Sequence, residues 1–308
     1  ADDGIDTLLI QGRGMAGQPA TGQDDIFLVR ANFIARLHGN VAADLYEPQF
    51  ERINYDSSIN GGVRINGWDG DDNFILDDSS AIMTLDGGAG IDTFQVGQVY
   101  GADPNTGAGV APGDEIAGTD ISQGFLSNGI SEAAVLYGGT GDDVFSIYSN
   151  KASLRLEGED GNDHFVVRAF IATDQIVLNG GAGDDQIEYN VNAPLAVNGG
   201  TGFDVVTVLG TEGDDNFVIT ADGVFGAGHN IQLTGIEEEV EVDGLEGNDT
   251  FYVLSTRAGT ITTLIGGRGS DNFVMGGDVT GAVISADQDA ASGAVTHGVT
   301  SDDPAYDG

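Results

Sequence analysis

Short runs in which apolar and polar residues alternate recur along the chain, separated by glycine-rich turns. After each turn apolar residues stand at every second position, as at Phe74 and Leu76. Before many turns a second alternating pair occurs, such as Val63 and Ile65. This alternation is typical of a β-strand with one buried face. The pattern therefore predicts a repeating unit of strand, glycine turn and strand, with almost no helix.

A fixed motif occupies the turn: glycine, any residue, aspartate, any residue, and then the alternating apolar pair. It recurs eleven times, and a further glycine stands three residues earlier in most copies. The motif aspartates are Asp6, Asp24, Asp72, Asp92, Asp143, Asp163, Asp185, Asp204, Asp215, Asp249 and Asp271. The motif glycines of the best copies are Gly70, Gly90, Gly141, Gly161, Gly183, Gly202, Gly247 and Gly269.

The spacing of the motif aspartates predicts how the strands are arranged. Asp72 and Asp92 are 20 residues apart, and so are Asp143 and Asp163. Two short strands in a period of about 20 residues predict one coil of a narrow parallel β-solenoid, with each turn stacked on the turn before it. We therefore expect an all-β chain, a β-roll or β-helix that runs continuously over residues 1–308, with its motif turns stacked mainly along one edge.

Departures from the period predict local changes in this solenoid. Asp204 and Asp215 are only 11 residues apart, about half a coil, so the turn at Gly213 is expected on the opposite edge. Between Asp204 and Asp249, residues 226–230 are interpreted as a degenerate turn in which Asn230 replaces the aspartate.

Three segments interrupt the repeat. Residues 29–62 and 97–135 separate successive motifs by about two coils, and we expect them to be irregular insertions. Residues 276–308 lack the motif and predict a less regular C-terminal coil or tail.

The turn chemistry favours a hard cation. Glycine permits the positive φ that a tight turn needs and lets backbone carbonyls converge. Carbonyls and a carboxylate from stacked turns would form an oxygen cage, which suits Ca²⁺ better than Mg²⁺ because Ca²⁺ tolerates six to eight ligands in flexible geometry. The motif aspartates and glycines are therefore the candidate ligands for several Ca²⁺ ions. The alternative for any one aspartate is that it only caps its own turn.

Charge and composition narrow the class of partners. The chain has 50 Asp and Glu against 10 Lys and Arg, for a formal net charge of −40. Such a chain has no electrostatic attraction for nucleic acid or anionic membranes. It has no cysteine and four scattered histidines, so a soft-metal site is not expected. A hydrophobic content of 40% predicts a folded protein, without membrane insertion.

Residues 85–94, Leu-Asp-Gly-Gly-Ala-Gly-Ile-Asp-Thr-Phe, resemble the repeat of the RTX, or haemolysin-type, calcium-binding family. The resemblance implies a right-handed parallel β-roll with Ca²⁺ between stacked turns, in a bacterial protein that is secreted and folds outside the cell. In that family the repeats run in tandem and place calcium on both edges. Most coils here have one motif, as in the sparse repeats of very large extracellular proteins, so we expect one calcium column.

The expected function is an extracellular or cell-surface module with a structural or adhesive role, such as part of a sheath, filament or surface layer. Its first partner is calcium. Both ends of the sequence look like incomplete repeats, so we also expect a segment of a longer repeat protein or self-association end to end, and a glycan or cell-surface partner is a further option.

A polysaccharide-acting enzyme or a glycan-binding module is the alternative. Arg155 and Arg168 could steady an anionic sugar, and the insertion could shape a groove. However, the chain lacks the His-Glu-x-x-His, Gly-x-Ser-x-Gly and phosphate-loop motifs, so we expect no catalytic residues.

Overall fold

The computed structural model describes residues 4–12, 24–40, 45–106, 111, 113–172, 175–190, 194–236, 238–277, 279, 283–286 and 296–299. The protein is all-β, as predicted, and its strands form long parallel sheets. Within these ranges there is one short 3-10 helix, Pro104–Thr106, no α-helix, and no helix long and apolar enough to cross a membrane. Most of the predicted tail lies outside the described residues.

The chain divides into two compact units, Ala1–Gly161 and Asn162–Gly308. In the first unit the described strands are β1 (Leu8–Gln11), β2 (Ile26–Arg30), β3 (Phe33–Asn40), β4 (Leu45–Asn54), β5 (Val63–Asp69), β6 (Asn73–Leu76), β7 (Met83–Ala89), β8 (Thr93–Val96), β9 (Val99–Tyr100), β10 (Gly118–Ile121), β11 (Gly124–Ser127), β12 (Ala134–Thr140), β13 (Val144–Asn150) and β14 (Leu154–Asp160).

Two parallel sheets contain the repeat in the first unit. One has the strand order β1-β5-β7-β12-β14, and the other contains β2, β6, β8 and β13. Each repeat contributes one strand to each sheet. Val63 pairs with Met83 in the first sheet, and Asn73 pairs with Thr93 in the second. The 20-residue period predicted from the aspartates is therefore the register between neighbouring parallel strands.

A column of phenylalanine rings forms the core beside the second sheet. Phe27, Phe74, Phe94 and Phe145 are all fully buried, and successive ring centroids are 5.1, 4.7 and 4.8 Å apart. Neighbouring strands are about 4.8 Å apart, so in-register pairing stacks equivalent rings face to face. The apolar residue two places after each aspartate faces the core. Because residues two apart along a strand point to the same side, the aspartate side chain also faces the interior.

Both insertions of the first unit contain regular strands, contrary to the expectation that they are irregular. Within residues 29–62, β3 and β4 form an antiparallel extension of the second sheet, next to β2. Within residues 97–135, β9, β10 and β11 form a small antiparallel sheet. Residues 97–135 contain Gly118-Thr119-Asp120, a weak turn signal by sequence, but it lies in β10 and lacks the apolar pair that follows a motif aspartate. A search for the full motif could therefore not find these strands.

In the second unit the described strands are β15 (His164–Ala172), β16 (Ile176–Ala182), β17 (Gln186–Asn190), β18 (Pro194–Thr201), β19 (Val205–Leu209), β20 (Asn216–Thr220), β21 (Gly223–Gly226), β22 (His229–Thr234), β23 (Glu239–Asp243), β24 (Thr250–Val253), β25 (Ile261–Ile265), β26 (Asn272–Met275), β27 (Val283–Ala286) and β28 (Thr296–Val299). One sheet has the order β16-β18-β22-β21-β20-β24-β26, a second has β15-β17-β19-β23-β25, and β27 pairs with β28.

A β-hairpin replaces the degenerate turn that was predicted at residues 226–230. Strands β21 and β22 are antiparallel, and Ala227 and Gly228 between them both have positive φ, 49° and 81°. Two consecutive residues with positive φ are typical of a two-residue hairpin turn. The interpretation of Asn230 as a stand-in for a motif aspartate was therefore wrong.

The later motif turns of the second unit occupy the opposite edge from the earlier ones. The turns of Asp185 and Asp204 lead from β16 and β18 into β17 and β19, whereas the turn of Asp215 leads from β19 back into the sheet of β18. This confirms the opposite edge predicted for the turn at Gly213. The turns of Asp249 and Asp271 also lie on that opposite edge, because they lead from β23 and β25 into the sheet that contains β20. A single main column was wrong for this unit.

Candidate metal centre

Motif aspartates stack in columns, and in each column one carboxylate oxygen binds the backbone of the neighbouring coil. The donor is the N–H of the aspartate in the preceding coil, and the acceptor is the Oδ1 of the next aspartate. In the first unit the N–H of Asp25 donates to Asp72, that of Asp72 to Asp92 and that of Asp92 to Asp143, each at 2.7 Å. In the second unit the N–H of Asp163 donates to Asp185 at 2.8 Å and that of Asp185 to Asp204 at 3.1 Å. On the opposite edge the N–H of Asp215 donates to Asp249 at 2.8 Å and that of Asp249 to Asp271 at 3.1 Å. One oxygen of each acceptor is thus a backbone cap.

The second carboxylate oxygen is in a different environment. The Oδ2 atoms of four motif aspartates are buried and have no hydrogen-bond donor in the described part of the chain; these are Asp72, Asp92, Asp185 and Asp249. A buried, ionised carboxylate oxygen without a donor is costly unless a cation or a proton compensates its charge. Each of these buried oxygens would therefore be stabilised by a nearby positive charge.

Backbone carbonyls lie beside these oxygens. A Cβ at Gly87 would come closer than 3.0 Å both to Oδ2 of Asp92 and to the carbonyl oxygen of Gly138 in the next coil. Gly180 shows the same arrangement with Asp185 and Gly199. Both oxygens of each pair therefore lie against the same glycine Cα. A larger residue at Gly87 or Gly180 would collide with them, which explains the glycine three residues before the motif.

Burial and neighbouring carboxylates raise the pKa of the column aspartates. Desolvation is the main cause, and it raises the pKa of Asp72 to about 7, of Asp92 to about 8 and of Asp185 to about 7. The backbone N–H bond to Oδ1 opposes each shift, and the carboxylates of adjacent coils add to it. A metal-free column at neutral pH therefore either holds protons or bears unfavourable buried charge.

The motif glycines proposed from the sequence lie on another part of the turn. All eight have φ between 129° and 147°; they are Gly70, Gly90, Gly141, Gly161, Gly183, Gly202, Gly247 and Gly269. The carbonyl oxygen of Gly70 packs against Gly90, where a Cβ would come closer than 3.0 Å. These glycines allow close stacking of the coils. The carbonyls found beside the carboxylates instead belong to the earlier glycine, such as Gly87.

The first coil uses Asp25 in place of Asp24. Ile26 and Phe27 pair with Asn73 and Phe74, so Asp25 aligns with Asp72. Asp25 is fully buried, whereas Asp24 is exposed and accepts a hydrogen bond from the N–H of Asp71 at 3.1 Å. The sequence contained the signal, because Asp-Asp-x-Phe occurs both at 24–27 and at 71–74.

Asp6 lies outside the columns. Strand β1, which follows it, pairs with β5, so this segment corresponds to the approach to a turn and not to the turn itself. Asp6 is exposed, and its backbone binds Asn60 and Gly61. The motif match at Gly4 and Asp6 was therefore one strand out of phase.

Glu238 is a column residue that the motif search missed. Its Oε2 accepts a hydrogen bond from the N–H of Asp204 at 2.8 Å, as Oδ1 of an aspartate does elsewhere. Glu238 precedes Val240 and Val242 by two and four residues, which is the spacing of Asp72 from Phe74 and Leu76. That spacing, without a glycine, was the available signal.

Arg155 and Arg168, the candidates for holding a sugar, have side chains that are 55% and 46% exposed. No group of three or more His, Asp or Glu side chains there is placed to hold a metal ion by side chains alone. Arg155 forms an ion pair with Glu157, and Arg168 with Glu188 at 2.7 Å, so each arginine already neutralises a carboxylate. In the second unit a shallow hollow of about 240 Å³ lies on the outer face of β17 and β19, beside His164.

Comparisons with known proteins add no family. No protein-family model matches the chain, and no curated protein matches it.

Proposed function

We propose that this chain is a calcium-stabilised β-solenoid module, right-handed and of the sparse RTX-like type, with a structural or adhesive role outside a bacterial cell. The observation that carries the proposal is a buried carboxylate oxygen, repeated along the columns, that has no donor among the described residues and lies next to a backbone carbonyl of the following coil.

The donor set fits calcium. Each candidate position offers carboxylate and carbonyl oxygens and no sulfur or imidazole, as at Asp92 with Gly138 and Asp185 with Gly199. Hard cations prefer such ligands, and the flexible coordination of Ca²⁺ suits a site built largely from backbone better than the strict octahedron of Mg²⁺ does. A bound cation would neutralise the buried oxygen and hold adjacent coils together.

Calcium dependence fits export. Cytosolic calcium is too scarce to fill such sites, so the chain would stay loosely folded until it reaches a calcium-rich exterior. Binding there stabilises only the folded state, and each site adds to the folding free energy. A repeat protein of this kind becomes a rigid spacer or scaffold where it is needed.

The last strands of the second unit support a role in assembly. Strands β25 and β26 are at the edges of their sheets, and Ile261 and Met275 are 61% and 67% exposed. Phe273 stacks on Phe251 with one face while the residue remains 43% exposed. A further coil, from a second copy or from another repeat segment, would pair with these edges and cover the apolar side chains.

Unfolding measurements test the proposal. The unfolding midpoint of the protein is compared in EGTA, in millimolar calcium and in millimolar magnesium, by circular dichroism. We expect a large increase with calcium and a small one with magnesium. Equal midpoints in EGTA and calcium would overturn the calcium part of the proposal.

A further inference from the structure

Arg36 occupies a place in the first coil that the other coils leave to a cation. It lies on β3, paired in register with Phe27 of β2. Paired residues direct their side chains to the same face, and Phe27 is fully buried. Arg36 therefore reaches into the interior, and its side chain is only 13% exposed.

The carboxylate of Asp25 resembles those of the other coils. A Cβ at Gly12 would come closer than 3.0 Å both to Oδ2 of Asp25 and to the carbonyl oxygen of Gly67. The oxygens of Asp92 and Gly138 lie beside Gly87 in the same way. The first coil thus repeats the arrangement that we propose to bind calcium, at the end of the column.

A guanidinium group stands next to that oxygen pair. Nη1 of Arg36 is 4.0 Å from Oδ2 of Asp25 and donates to the carbonyl oxygen of Gln11 at 3.2 Å. Nη2 donates to Glu51 of β4 at 2.7 Å, which fixes the far side of the guanidinium. The guanidinium of Arg36 therefore lies beside the carboxylate of Asp25 and the carbonyl of Gln11 at the end of β1. A carboxylate and a backbone carbonyl are also the ligands that a cation would find in the later coils.

We propose that Arg36 is a built-in counter-ion that replaces calcium at the first turn. The insertion that contains β3 and β4 thus acts as an end cap: it places a permanent charge on Asp25, so that the first coil is stable without metal. The column can then grow from this coil as calcium fills the following turns. This inference rests on the proposed calcium function for the later turns only.

The test is a double-mutant cycle in EGTA with Asp25→Asn and Arg36→Gln. If Arg36 neutralises Asp25, Arg36→Gln lowers the folding equilibrium constant much more when Asp25 is charged than when it is Asn, with a coupling of about tenfold or more. Arg155→Gln is the matched control, because it removes an arginine from an exposed ion pair with Glu157. Arg36→Lys keeps the charge and should behave like the parent chain.

Calcium binding separates a counter-ion that replaces calcium from an ordinary ion pair. By equilibrium dialysis, Arg36→Gln should bind one more calcium ion than the parent, and calcium should restore its stability. Absent coupling, or coupling with neither an extra ion nor rescue by calcium, overturns the inference. If Arg36→Gln is unfolded in EGTA, the inference is supported when this variant folds in calcium and Arg36→Lys behaves like the parent chain. If neither Arg36→Gln nor Arg36→Lys folds in calcium, the inference is overturned. If the parent chain binds no calcium, the proposed function is overturned. The coupling between Arg36 and Asp25 is measured in EGTA, without metal, so that result does not affect it.

Discussion

Asp92→Asn should have opposite effects on stability with and without calcium. Oδ1 of Asp92 accepts a hydrogen bond from the N–H of Asp72 at 2.7 Å. Its Oδ2 is buried near the carbonyl oxygen of Gly138 and has no donor in the described part of the chain. In the variant the carboxamide oxygen can keep the first bond. Its NH₂ group replaces Oδ2 and can donate to the Gly138 carbonyl. The substitution therefore removes a buried charge without removing the backbone cap.

The pKa of Asp92 sets the size of the effect. Burial raises this pKa from 3.8 to about 8. One pKa unit corresponds to about 1.4 kcal/mol, and at pH 7 the unfolded carboxylate is ionised while the buried one is mostly protonated, so Asp92 costs the metal-free fold at most roughly 4 kcal/mol. Relaxation and water entry reduce this, and we expect Asp92→Asn to stabilise the protein in EGTA by about 2 to 4 kcal/mol.

The assay is denaturant unfolding in EGTA and in saturating calcium, with Asp71→Asn as the control. Asp71 lies in the adjacent turn, is exposed, and accepts the N–H of Ile91, which an asparagine can also do. We expect Asp92→Asn to gain stability in EGTA and to lose much of the increment from calcium, and Asp71→Asn to change little. A loss of stability in EGTA, or an unchanged calcium increment, would refute the reasoning.

Three further predictions concern pH, packing and assembly. Because burial raises the pKa of Asp72 to about 7 from 3.8, the folded state binds protons that the unfolded chain has lost; metal-free stability should therefore fall as the pH rises from about 4 to about 7, as measured by urea unfolding. Gly87→Ala should cost about 2 to 4 kcal/mol in unfolding free energy, whereas Gly101→Ala should cost little, because no atom of the described residues lies within 4 Å of the new Cβ. Met275→Ser should weaken self-association in sedimentation experiments, and unchanged association would contradict the edge-pairing idea.

The strands and their period were predictable from the sequence because both are repetitive. An apolar residue at every second position marks each strand, and stacking identical coils makes the chain period equal to the strand register. The Phe94 column and the buried position of Asp72 follow from the same alternation. These properties depend on local pattern, which a single sequence shows directly.

The glycine motif could not predict which of two adjacent acidic residues faces the interior of the column. Asp24 matches the motif, but Phe27 must face the core, and this requirement places Asp25 inside. Glu238 takes a column position without the usual glycine, since the spacing to Val240 and Val242 is sufficient. In both cases side-chain burial decided the phase.

The two columns of the second unit follow from the half-coil step between Asp204 and Asp215, after which the motif turns lead from the second sheet into the first. Strands β21 and β22 add two antiparallel strands without changing the edge, and they lengthen the spacing between Asp215 and Asp249 to 34 residues. Ala227 and Gly228 are a weak turn signal by themselves. The contribution of Arg36 was also invisible, because it reaches Asp25 only through the pairing of β2 with β3.

Anomalous X-ray scattering from crystals grown in saturating calcium tests the central claim most directly. The account predicts calcium peaks within bonding distance of Oδ2 of Asp72, Asp92, Asp185 and Asp249, and none beside Asp25, where Arg36 supplies the charge. Columns without any calcium peak under these conditions would contradict it.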